Sequence, residues 1–220
     1  MPHLSFHLLI FLFLCGMVCI FASVFVVKIY DKNYFVRSRA KYSLSLASTF
    51  AFIIAWYAQY WDLSLESLLS FALLVIFLIL FFAMALLDYK YFALPNKLLA
   101  VFFFLCIAIT YFLGTQPLED SLSTVGLFFL LKLCMESLSQ KPMLGEADIV
   151  VLGGIGAVFG IFGCLKIVFL GSCISLACVV FHALKNNQSL RDTKIAFVSY
   201  LFLGTLGFIL IESIFREFYV

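Results

Sequence analysis

The chain has 220 residues, 65% of them hydrophobic and only 12% charged, with a mean hydropathy of +1.16. Soluble domains average about 25% charged residues, so this composition excludes an ordinary soluble protein and points to an integral membrane protein. A formal net charge of +2 is too small to argue for a nucleic-acid partner, and the apolar runs are continuous rather than alternating, which argues against a membrane β-barrel.

A helix needs about 17–25 apolar residues to cross a hydrocarbon core roughly 30 Å thick. Taken in chain order, the apolar runs predict an all-α, polytopic membrane protein of about eight transmembrane helices. They fall at 6–28, 43–60, 66–87, 97–113, 121–138, 149–163, 165–183 and 195–214. The first run is too long for a signal peptide and lacks both a basic leading region and an A-x-A site, so it reads as a mature helix. No linker or low-complexity segment interrupts the pattern, and residues 1–220 read as one membrane domain.

Eight spans put both termini on one side and make the loops alternate. One side then collects Lys28, Lys32, Arg37, Arg39, Lys41, Lys90, Lys97, Lys141, Lys185, Arg191 and Lys194, whereas the other holds only Lys166 and Arg216. By the positive-inside rule the first side is cytoplasmic and the termini face outward. The opposite loops, "WDLSLE" and "GTQPLED", carry Asp62, Glu66, Glu119 and Asp120, in keeping with that orientation.

Polar chemistry is sparse. The seven cysteines sit in apolar stretches without a C-x-x-C and read as small buried hydrophobes. His3, His7 and His182 have no cysteine or serine nucleophile beside them on the cytoplasmic side and read as interfacial residues. Lys132 and Glu136, four apart, predict an ion pair near the cytoplasmic end of the fifth helix. Glu146 reads as a solvated loop charge. The helix at 149–163 is rich in glycine, and Gly156 with Gly160 has the G-x-x-x-G spacing that lets helix backbones approach closely.

Two aspartates stand out. Asp88, in "MALLDYKYFALPN", follows directly on the third apolar run, and Asp148, in "KPMLGEADIV", stands just before the glycine-rich helix. Both fall at the cytoplasmic boundary. An ionisable group near the bilayer is costly and turns toward the protein interior or a water-filled cavity, which makes it a functional candidate. Two carboxylates meeting in a poorly solvated site would share one proton and titrate as a unit. That is the chemistry of aspartic proteolysis, in which one carboxylate takes a proton from the attacking water and the protonated partner supports the carbonyl oxygen.

These stretches resemble the type IV prepilin peptidases, membrane aspartic proteases of the GxGD type. "DYKYFALPN", 88–96, is similar to the family's aspartate followed six residues later by L-P-D or L-P-N. "KPMLGEADIVVLGGIGAVFG", 141–160, resembles its K-E-G-M-G-x-G-D stretch and the small-residue helix after it. "KIAFVSYLFLG", 194–204, is like its I-P-F-G-P-F-L-A-x-G, and "ASVFVVKIY", 22–30, like its G-S-F-L-N-V-V-I-Y. The resemblance implies that Asp88 and Asp148 are the catalytic pair of a bacterial inner-membrane endopeptidase. Its expected substrates are type IV prepilins or pseudopilins, whose leaders are cut at the cytoplasmic face. It implies membrane lipid as surroundings and no nucleic acid.

The departures are specific. Ala147 stands for the second glycine of G-x-G-D, a change of one methyl group that should leave the turn intact. Val150 replaces a lysine, and Ala196, Val198 and Ser199 replace a proline and a G-P pair, which removes the expectation of a special backbone shape there. The first cytoplasmic loop, 29–42, is short and has no cysteine, so it cannot form the four-thiolate zinc module of the bifunctional relatives. N-methyltransferase activity and its S-adenosylmethionine cosubstrate are therefore left open, and no cofactor or metal is expected for the peptidase. Pro95 biases Leu94 toward an extended conformation and is expected to help end the third helix. Competing readings are a related GxGD protease with another membrane-helix substrate, an inert assembly protein of a pilus or secretion system, and a small cation transporter, although no internal repeat supports the last.

Overall fold

The computed structural model of the protein describes residues 27, 29, 65–112, 117–140, 144–186 and 195–218. The expected helices at 6–28 and 43–60 and the loop 29–42 lie outside the described residues, apart from Val27 and Ile29, which are helical. Among the described residues every element is an α-helix: α1 Leu65–Tyr91, α2 Asn96–Phe112, α3 Pro117–Ser139, α4 Glu146–Asn186 and α5 Phe197–Phe218.

Local chemistry accounts for the helix ends. α1 runs without glycine or proline and stops where Phe92 takes a left-handed conformation, φ 53°. Its N–H donates to the Asp88 carbonyl at 2.8 Å, which satisfies one of the carbonyls that a helix end leaves open. Pro95 thus does not end α1. It opens α2, its carbonyl accepting the first helical bond from Leu99 N–H at 3.1 Å. α3 begins with Pro117, whose missing N–H costs nothing in a first turn, and carries Glu119 and Asp120 where the helix dipole favours anions. It ends as α1 does, on left-handed Gln140.

α4 contains a break. Gly160 has φ 71° and ψ 168°, a conformation essentially restricted to glycine. The chain reverses there, because the Cys164 thiol donates to the Leu152 carbonyl at 3.7 Å, whereas twelve residues of straight helix would separate them by about 18 Å. The predicted pair of helices, 149–163 and 165–183, is therefore a hairpin whose turn lies at Gly160, earlier than expected. This also corrects the reading of the glycine pair. Gly156 serves close packing, since a side chain there would collide with Thr124, while a side-chain carbon at Gly160 would make only an ordinary contact with Asp120, so that Gly160 serves the turn.

By length and composition three stretches are candidate membrane spans, Leu73–Tyr91, Leu118–Ser139 and Glu146–Phe181, the last of which turns back at Gly160, and Asn96–Tyr111 and Phe197–Glu212 are shorter apolar helices. Large apolar side chains such as Phe104, Phe162, Phe181 and Leu138 are exposed on them. Helices apolar on every face suit lipid, not water, and make this a membrane protein. Three buried threonine hydroxyls are satisfied within their own helices, Thr110 by the Cys106 carbonyl at 2.9 Å, Thr124 by Asp120 at 2.7 Å and Thr205 by Leu201 at 2.9 Å, whereas the buried Ser121 hydroxyl has no partner among the described residues.

The chain divides into two compact units, Met1–Ala83 with Leu206–Val220, and Met84–Thr205. In the first, the buried rings of Phe77 and Phe81 lie 5.6 Å apart on one face of α1. In the second, the first limb of α4 packs against both α2 and α3. Gly154 lies against Phe102 and Cys106 of α2, and Gly153 against Val125 of α3. The second limb meets α5 backbone to backbone: a side-chain carbon at Gly204 would fall 2.8 Å from the Gly171 nitrogen. Small residues let transmembrane helices approach this closely, and the start of α4 is fixed as a result.

Candidate active site

Asp88 and Asp148 both belong to the unit Met84–Thr205. Each carboxylate is held by backbone N–H groups at a helix start, in two different ways.

Asp88 lies in the last turn of α1 and is 7% exposed. A buried carboxylate needs donors, and α5 supplies them. The Asp88 Oδ2 atom accepts from Val198 N–H at 2.9 Å and from Ser199 N–H at 3.3 Å. In α5 the first helical bond runs from Tyr200 N–H to the Ala196 carbonyl, which puts Ala196 at the capping position and Val198 and Ser199 in the first turn. Alanine has no side-chain acceptor, so the cap that a serine or aspartate usually provides locally comes instead from Asp88 on another helix. The Ser199 hydroxyl adds a further tie, donating to the Ala85 carbonyl at 2.7 Å.

Asp148 is partly exposed and stands in the first turn of α4. Its Oδ2 atom accepts from Gly145 N–H at 3.2 Å, and Gly145 accepts the first helical bond through its carbonyl from Ile149. This is the reaching-back half of a capping box, with Gly145 at the cap and Asp148 three residues on. The glycine matters sterically: a side-chain carbon there would come within 2.9 Å of Asp148 Oδ2. Ala147 is already inside the helix, where alanine is favoured, so the departure at that position sits in ordinary helical backbone.

Other expectations are redistributed. Lys132 pairs with Glu146 at 3.9 Å rather than with Glu136, because α3 packs antiparallel to the first limb of α4 and brings its start to Lys132. Glu146 is 93% exposed, in keeping with a solvated charge, though it opens a helix rather than lying in a loop. Of the described cysteines, Cys106 and Cys164 are buried, whereas Cys134, Cys173 and Cys178 are exposed, contrary to the uniform burial expected. Among the described residues no group of three or more histidine, cysteine or acidic side chains could hold a metal ion.

Sequence reasoning missed Ala85, Val198 and Ser199. The stretch 194–204 was singled out by its resemblance, but its altered residues read as a loss. The donors are backbone N–H groups, which every sequence carries alike.

Residues 75–180 match the model of a family described as the type IV leader peptidase family. No curated protein and no solved structure matches the chain.

Proposed function

Because residues 75–180 of this chain form a type IV leader peptidase family domain, we propose that it is a membrane aspartic endopeptidase removing the N-terminal leader of type IV prepilins or pseudopilins. Asp88 and Asp148 are its acid-base pair. The observation that carries this reading is that two carboxylates, one on α1 and one on α4, lie inside the matched region and in one compact unit, each accepting from backbone N–H groups.

The chemistry follows from the arrangement. A water held between the carboxylates loses a proton to one of them as its oxygen attacks the scissile carbonyl. The other carboxyl, protonated, donates to the developing oxyanion. The leaving amine then takes a proton from the pair as the C–N bond breaks. The two groups act as a unit, and no fixed role attaches to either. Neither carboxylate has to be assembled by substrate, since backbone N–H groups already hold both.

The substrate class agrees with the site's position at helix ends. A prepilin presents a basic leader, a cleavage junction and then an apolar helix. A protease at the membrane surface meets such a chain where the leader emerges from lipid. The distribution of lysine and arginine along the sequence supports the cytoplasmic side of the bacterial inner membrane.

The test is reconstitution. The full chain in proteoliposomes is expected to release the leader of a prepilin-like substrate as a single peptide whose mass marks one cut at the junction. Intact substrate after prolonged incubation, with the protein folded, would refute the activity.

A further inference from the structure

We infer that Ser199 is a positioning residue for Asp88, its hydroxyl fastening the first turn of α5 to α1 so that two N–H donors stay on the carboxylate. This rests on the reading of Asp88 as half of the proteolytic pair.

Ser199 touches α1 at two places. Its N–H reaches Asp88 Oδ2 at 3.3 Å, and its hydroxyl reaches the carbonyl of Ala85, three residues earlier on α1, at 2.7 Å. Residues three apart on a helix lie on one face, so the two bonds grip the same face of α1. Val198 adds a third bond at 2.9 Å and is fully buried. Two backbone donors alone would let the helix start pivot about Asp88 Oδ2. The hydroxyl bond lies away from that atom and removes the pivot.

A purely local role does not explain the hydroxyl. Serine caps a helix from the position before the first turn, which here is Ala196. At Ser199 the hydroxyl leaves its own helix and bonds a residue 114 positions away in sequence. The short bond between neighbouring helices is better described as a clamp on Asp88 than as part of α5's own folding.

Catalysis depends on geometry held to a fraction of an ångström, so loosening the clamp should slow the chemical step more than it weakens substrate binding. Ser199→Ala keeps both N–H donors and deletes only the hydroxyl. On the full chain in proteoliposomes it is expected to lower kcat roughly tenfold with KM near wild type, the scale of one lost hydrogen bond. Ser199→Thr, which keeps the hydroxyl, is expected to restore the rate. A second readout does not need activity: Asp88 labelling by a lipid-soluble carbodiimide, followed by peptide mass spectrometry, should be several-fold faster in Ser199→Ala and near wild type in Ser199→Thr. If Ser199→Ala does not fold, Ser199→Cys, a weaker donor, replaces it with the same ordering expected. Unchanged kcat and unchanged Asp88 labelling in Ser199→Ala, or a Ser199→Thr chain as slow as Ser199→Ala, would overturn the clamp. If the wild-type chain cuts no leader, the catalytic reading fails by itself and the labelling rates still decide whether Ser199 holds Asp88.

Discussion

Asp88 joins two functions that separate variants can pull apart. Its carboxylate is half of the proposed catalytic pair and also the cap of α5, taking the N–H groups of Val198 and Ser199. Asparagine keeps an acceptor oxygen for those donors but cannot trade protons as an acid does. Alanine leaves the donors unpaired in a buried place. Asp88→Asn is therefore expected to be inactive yet to melt close to wild type, whereas Asp88→Ala is expected to lose a further 1–3 kcal/mol or about that much stability. Equal melting of the two variants would mean that the cap contributes nothing. At Asp148 the sensitive neighbour is Gly145, where an added carbon would come within 2.9 Å of Oδ2. Gly145→Ala is expected to cut the cleavage rate by roughly tenfold or more by displacing the carboxylate, with little change in melting. Both aspartates were legible in the sequence because a charge beside an apolar run costs free energy and demands a reason. Ala85, Val198 and Ser199 were not, because two of the three bonds to α1 come from main-chain N–H groups and their partner lies more than a hundred residues away.

At the scale of elements, the hairpin at Gly160 fixes how the first limb of α4, and with it Asp148, lies against α2 and α3. Gly160→Ala has room for its methyl group, whose nearest neighbour would be Asp120 Oδ2 at 3.8 Å, but not the backbone freedom to hold φ 71°. The variant is expected to lose about 1–3 kcal/mol, read by thermal or denaturant unfolding in detergent. Wild-type stability would show that the turn tolerates an ordinary residue. Helix existence was legible here, since α1 to α5 fall on runs apolar enough to announce them. The turn was less so: glycines stand at 153, 154, 156, 160 and 163, and sequence alone does not say which adopts the unusual conformation and which make room for a neighbour. Thr124 decides it, by packing where Gly156 needs space. The same packing brings Glu146, rather than Glu136, to Lys132, a partner that spacing along one helix could not reveal.

At the scale of the whole molecule, apolar helices leave no plausible home but a bilayer, and composition alone carried that conclusion. The described residues contain three candidate spans and two shorter apolar helices of the eight expected. The stretch that matches the family model, 75–180, covers both aspartates but not the start of α5, so the cap on Asp88 comes from outside the matched stretch. Membrane helices that each look self-sufficient are thus tied at the site by bonds between α1 and α5 that composition cannot express. The claim at the centre is that Asp88 and Asp148 work as one catalytic unit. Its most direct test is the leader-cleavage rate of reconstituted Asp88→Asn, Asp148→Asn and the double variant, each with its folded fraction measured. Groups acting as a unit are non-additive, so each single variant should be as inactive as the double. A single variant that still cuts at the leader junction near the wild-type rate would contradict the pair.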